Sequence, residues 1–74
     1  MVLGDSMKRY ERIRELREDH DLTQAKIGGK LGLSQRAYAH YEIGDRVIPP
    51  EILCALADYY HVSVDYLLGR TDTP

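Results

Sequence analysis

Much of what would mark an enzyme, a secreted protein or a membrane protein is missing from this sequence. One cysteine, Cys54, stands in 74 residues, so no intramolecular disulfide can form and the chain suits a reducing compartment. No apolar run approaches the roughly 18 residues that argue for a membrane span. The opening "MVLGDS" has neither a basic nor an apolar region of the signal-peptide kind. No useful length of alternating apolar and polar residues supports a strand. His20, His40 and His61 lie far apart and, with a single cysteine, make no metal-ligand cluster of the usual spacing. No serine–histidine–acid set emerges, and no glycine-rich loop follows a strand. Catalysis is therefore excluded, and neither cofactor nor metal is expected.

What is present is charge, unevenly placed. The formal net charge is −2, which argues mildly against a polyanionic partner. Yet residues 21–46 balance at +1, with Lys26, Lys30, Arg36 and Arg46 against Asp21, Glu42 and Asp45. Residues 47–74 balance at −3. A basic face can persist beside an acidic back end, although non-specific affinity for nucleic acid should be weak.

Helical signals follow in order. Residues 8–19, "KRYERIRELRED", put Tyr10, Ile13, Leu16 and the stem of Arg17 on one side, an amphipathic pattern. Lys8, Arg9, Arg12 and Arg17 form a basic stripe that reads mainly as a solvated face, with phosphate contact as the sharper alternative. Thr23 is a natural N-cap for a second helix, with Ile27 and Leu31 on one side. Ser34 caps a third, whose inner face carries Tyr38 and Tyr41 and whose stop is Gly44. "DRVIPP" is a loop, whose Arg46 could pair with Glu42 on the third helix. Pro50 suits the first turn of a fourth helix, along which Ile52, Leu53, Leu56, Ala57 and Tyr60 form the buried stripe. Ser63 caps a short fifth helix, with Asp65 in its favourable first turn and Gly69 at its end. Residues 1–7 are expected to be a flexible extension, with Met7 a possible second start. Residues 8–70 form one all-α domain, and 71–74 a frayed tail.

Three glycines crowd the stretch "KIGGKLGLSQRAY", although each costs about 1 kcal/mol in a helix interior. Gly32 falls where the second helix must stop and the chain turn sharply, which calls for positive φ. Gly28 faces the third helix, where a small residue allows a close crossing. Gly29 has no such reason and should be exposed.

This stretch resembles the helix-turn-helix of the phage-repressor-like family, also called Cro-type or XRE-like. The family's unit opens on glutamine, has a small residue fifth, glycine ninth, an apolar residue tenth, and apolar residues in the fifteenth and eighteenth places. Gln24, Gly28, Gly32, Leu33, Tyr38 and Tyr41 fill these places in order. "LTQ" before the unit, "YEIG" closing the third helix, "PP" opening the fourth and "HVSVDYLLG" at the end extend the likeness over residues 8–70. It implies a compact five-helix, lambda-repressor-like domain, with the helix-turn-helix at about 23–43, binding double-stranded DNA as a regulator in the cytoplasm.

In such a domain the third helix enters the major groove. The family's base-reading positions then fall on Gln35, Arg36 and His40, with Ala39 placed to touch a thymine methyl. Glutamine pairs bidentately with adenine and arginine with guanine. Phosphate contacts, which set register, are expected from Gln24, Lys26, Arg46 and Arg9. Specific operators usually engage dimers, and Tyr59, Tyr66, Leu67 and Leu68 are the expected homodimer seam. The competing reading is an antitoxin-like regulator or a pure protein-interaction module. Ile43 and Asp45, standing where the family often has polar and basic residues, would suit it.

Overall fold

Side-chain oxygens fix where several of the helices begin. The computed structural model describes residues 10–74, which form α1 (Glu11–Asp19), α2 (Gln24–Lys30), α3 (Gln35–Ile43), α4 (Pro50–Tyr60) and α5 (Val64–Leu67). The described residues contain no strand. Thr23 Oγ1 accepts from the Lys26 N–H at 3.1 Å, Ser34 Oγ from Ala37 at 3.1 Å, and Ser63 Oγ from Tyr66 at 3.0 Å. Each satisfies an N–H that its helix cannot. Pro50 occupies the first turn of α4, behind Pro49 as its cap, where the missing N–H costs nothing.

The helix ends share one device. After each helix a residue takes the left-handed conformation: Asp21 (φ 55), Gly32 (φ 74), Gly44 (φ 96), His61 (φ 57) and Gly69 (φ 75). The next residue's N–H then reaches back to a carbonyl in the helix. Leu22 donates to Arg17, Leu33 to Gly28, Asp45 to His40, Val62 to Ala57 and Arg70 to Asp65. These Schellman-type closures satisfy carbonyls left open at the helix ends. Three of the stops were expected from their glycines; Asp21 and His61, lacking that signal, were not.

The core is assembled evenly. The largest fully buried side chains are Ile13, Ile27, Tyr38, Leu56 and Leu67, one from each helix. Burying such a side chain stabilises by about 1.5–3 kcal/mol. Around them Leu16, Leu22, Leu31, Leu33, Tyr41, Ile52, Leu53 and Leu68 are half-buried and packed on the same cluster. Gly28 does permit the close α2–α3 crossing. A Cβ there would meet Leu33 O and Tyr38 Cβ at 3.3 Å, whereas one on exposed Gly29 would meet nothing within 4 Å.

Several expectations need correction. The tail, expected to be frayed, is bonded back to α1: Arg12 Nη1 donates to Thr71 O at 2.9 Å and to Tyr66 O at 3.2 Å. Arg12 Nη2 meets Asp72 Oδ1 at 3.3 Å, and the Ser63 N–H donates to Pro74 O at 3.1 Å. Arg12, read as solvated surface, is thus a latch, stacked 4.2 Å over the Tyr66 ring. Ile48, assigned to a plain loop, belongs to the core, and its N–H donates to the Tyr10 hydroxyl at 3.2 Å. Leu67 is 0% exposed, so it has no surface to lend a dimer seam. Its burial inside one chain is what lets so short a helix as α5 hold its place.

Candidate nucleic-acid interface

The position of α3 is set from its inner side by one carboxylate. Glu42 is buried and receives four hydrogen bonds. Arg17 donates from Nε to Oε2 at 2.8 Å and from Nη2 to Oε1 at 3.1 Å. Gln24 Nε2 donates to Oε1 at 3.1 Å, and the Tyr38 hydroxyl to Oε2 at 2.7 Å. Arg17 Nη1 also donates to Leu22 O at 2.8 Å. The node thereby joins α1, the turn before α2, the start of α2, and α3. Glu42 does not pair with Arg46, as the sequence suggested. The left-handed turn at Gly44 ends α3, and the buried face of that helix looks toward Arg17 instead.

Opposing effects act on this carboxyl. Burial alone would raise its pKa, but the hydrogen bonds from Arg17, Tyr38 and Gln24 outweigh it and hold the carboxyl below the ordinary glutamate range. Hydrogen bonding to Glu42 likewise raises Arg17 above the usual arginine value. Burial first, and the neighbouring carboxylate second, push the Tyr38 phenol strongly up. The node is therefore a charged pair with satisfied neighbours, which is how a buried charge is tolerated.

The opposite face of α3 is differently equipped. Gln35 and Arg36 are exposed, while Ala39 and His40 are half-buried. Arg36 and His40 lie one turn apart and share a face. His40 Nδ1 stands 3.2 Å from Asp45 Oδ2. Lys26, in the first turn of α2, and Arg46, beyond α3, are also exposed. Among the described residues Lys26, Arg36 and Arg46 carry no ion pair, whereas Arg12, Arg17 and Arg70 are all paired with carboxylates. Lys30 on α2 and Arg14 on α1 are likewise without an ion pair among the described residues, so four of these five free cations lie on or just beyond α2 and α3. Gln24, expected to face a phosphate, spends one amide N–H on Glu42. Arg9 lies outside the described residues. Ile43, at the end of α3, and Val47, in the loop that follows, leave apolar side chains 57% and 72% exposed.

Sequence reasoning missed the role of Arg17, which it placed in the basic stripe. A signal was available, since the Arg17 stem already fell on the apolar side of α1.

Comparison with known proteins identifies the family. A helix-turn-helix family model matches residues 13–67. An uncharacterized HTH-type transcriptional regulator of Bacillus subtilis, YobD, is 42% identical over 64 residues, covering 86% of this chain and 57% of that protein. The cryptic phage CTXphi transcriptional repressor RstR of Vibrio cholerae is 36% identical over 67 residues, 90% of this chain and 60% of RstR. ImmR, an HTH-type transcriptional regulator of Bacillus subtilis, is 32% identical over 62 residues, 84% of this chain and 49% of ImmR. The chain thus spans about half to three-fifths of these relatives. No solved structure matches it at a significant level. No helix among the described residues is long and apolar enough to cross a membrane. The matched region takes in the α2–α3 unit, its Gly32 turn and the helices packed around it, and the chain belongs to the phage-repressor-like, XRE-like helix-turn-helix family.

Proposed function

We propose that this chain is the DNA-binding domain of a cytoplasmic, sequence-specific transcriptional regulator, a repressor, that lays α3 in the major groove. The observation that carries this is the division of α3 into two faces. Glu42 ties the inner face down, and the outer face offers Gln35 and Arg36 unpaired to a partner. Gln35 would pair with adenine and Arg36 with guanine, each discriminating by about 1–3 kcal/mol. Ala39 would touch a thymine methyl. Lys26 and Arg46, with the remaining donor of Gln24 and with Arg9, would set register on phosphates. Repression needs no contact with polymerase, only occupancy of a promoter.

The domain reads few base pairs alone, so we place it in a homodimer on half-sites about 34 Å apart. Exposed Tyr59 and half-buried Tyr66 and Leu68 are the surface available for the seam. Because Tyr59 is exposed, Tyr59→Glu should leave the fold intact and turn a dimer into a monomer in sedimentation. An unchanged dimer mass would place the seam elsewhere.

Selection from a random duplex pool at about 100–150 mM salt, where the phosphate term is damped, tests the main reading. Enrichment of an inverted repeat one helical turn apart is expected. No enrichment by folded protein would favour the second reading, a protein-interaction module or antitoxin-like regulator, for which exposed Ile43 and Val47 provide an apolar surface beside α3.

A further inference from the structure

His40 and Asp45 are joined twice. The left-handed turn at Gly44 folds the chain back over the end of α3, and the Asp45 backbone N–H donates to His40 O at 3.1 Å. The Asp45 carboxylate then lies 3.2 Å from His40 Nδ1. The first bond belongs to the helix stop and holds whatever residue stands at 45. The second depends on aspartate. An ionised carboxylate only accepts, so the hydrogen in this contact sits on Nδ1, and Nε2 is the ring nitrogen left uncommitted among the described residues. The imidazole is also half-buried, which limits the orientations open to it.

We propose that Asp45 is a positioning residue for base recognition, fixing the His40 ring with its hydrogen on Nδ1 so that Nε2 faces the DNA as an acceptor. This rests on the reading that α3 lies in the major groove. An acceptor there matches an exocyclic amino group, N6 of adenine or N4 of cytosine, and mismatches the carbonyl oxygens of guanine and thymine. One turn away, Arg36 offers only donors. The shared face would therefore read one carbonyl-bearing base and one amino-bearing base, a pattern that neither side chain could specify alone. The departure at 45 from a basic residue becomes an exchange: one phosphate contact is given up, and the tautomer of a reading residue is set.

Two measurements test this. In free protein at pH 8, nitrogen-resolved NMR of the His40 ring should show the hydrogen on Nδ1, with Asp45→Ala moving it toward Nε2. A wild-type ring with its hydrogen on Nε2 would overturn the proposal. In parallel, duplex selections are run with wild type, His40→Ala, Asp45→Ala and the double variant. His40→Ala should lose about fivefold discrimination, the worth of one hydrogen bond, at a single base pair that wild type fills with adenine or cytosine. Asp45→Ala should relax that same pair and no other, and the double variant should match His40→Ala. If Asp45→Ala instead raises affinity evenly over all sequences and steepens the salt dependence, the aspartate merely repels phosphate and the proposal fails while DNA reading stands. If wild type enriches no sequence, DNA reading itself has failed and this inference falls with it, whatever the ring's tautomer.

Discussion

Tyr38 and Tyr60 are both deeply buried, at 1% and 5% exposure, yet only Tyr38 has an acceptor for its hydroxyl. Tyr38 donates to Glu42 at 2.7 Å. The Tyr60 oxygen is buried without a hydrogen-bond partner among the described residues, and burial pushes its phenol up to about 12. Removing the two hydroxyls should have opposite effects. Tyr38→Phe takes a bond from a charged acceptor and should cost about 1.5–3 kcal/mol. Tyr60→Phe relieves an unsatisfied group and should stabilise by about 1 kcal/mol or leave stability unchanged. Urea titration of both variants measures the difference.

Glu42 makes stability depend on acid. Its folded pKa lies below the ordinary glutamate value of 4.5, so its contribution is complete above that value and is lost as pH falls through the lower folded one. Unfolding free energy should therefore decline below about pH 5. Glu42→Gln should be less stable at neutral pH and show a flatter acid limb. Arg17→Met, which strands a buried carboxylate, should cost about 3–5 kcal/mol, and a double variant with Glu42→Leu should recover much of it. Denaturation at pH 3 to 7 checks the acid limb, and a double-mutant cycle checks the pair.

Neighbouring glycines in the helix-turn-helix should respond in opposite directions. Gly29→Ala adds a methyl to open space near the end of α2 and should stabilise by about 0.5–1 kcal/mol. Gly32→Ala forces a side chain into φ +74 and should destabilise by about 1 kcal/mol or more. A shift of roughly 4–8 °C per kcal/mol is readable in a domain of this size.

The two helix stops without glycine offer the converse test. Asp21 and His61 hold φ of 55 and 57, a conformation that disfavours side chains. Asp21→Gly and His61→Gly should each stabilise by about 0.5–1 kcal/mol. Thermal melts of the single and double variants should show near-additive gains, since the sites close different helices.

What could be read from the sequence was mostly what depends on near neighbours. Thr23, Ser34 and Ser63 cap by reaching three residues ahead, and Gly32, Gly44 and Gly69 stop helices they adjoin. The five helices followed from such signals and from apolar spacing. On the candidate interface, the exposure of Gln35 and Arg36 followed from Tyr38 and Tyr41 facing inward. Long-range bonds stayed hidden. Glu42 meets Arg17 across 25 residues and Gln24 across 18, Arg12 meets Thr71 across 59, and Ile48 meets Tyr10 across 38. Nothing in the local pattern around Arg12 distinguishes a latch from a solvated charge. Asp21 and His61 were missed for a different reason: they do glycine's work without its name.

Lys26 and Arg36 should separate register from recognition. Lys26→Ala should weaken binding evenly over sequences and lower the salt slope by about 1, while Arg36→Ala should cost about 1–3 kcal/mol at one base pair and relax preference there. Titrations of matched and mismatched duplexes at several salt concentrations distinguish the two.

The carboxylate that holds α3 has an evolutionary corollary. Because Glu42 anchors the helix from within, substitutions at Gln35, Arg36 and Ala39 leave its anchorage untouched. On the proposed reading, targets would be exchanged by replacing a few outward letters, without re-solving the problem of folding. A lineage built this way would acquire new operators one surface residue at a time, and a short graft onto α3 should carry another relative's preference into this scaffold.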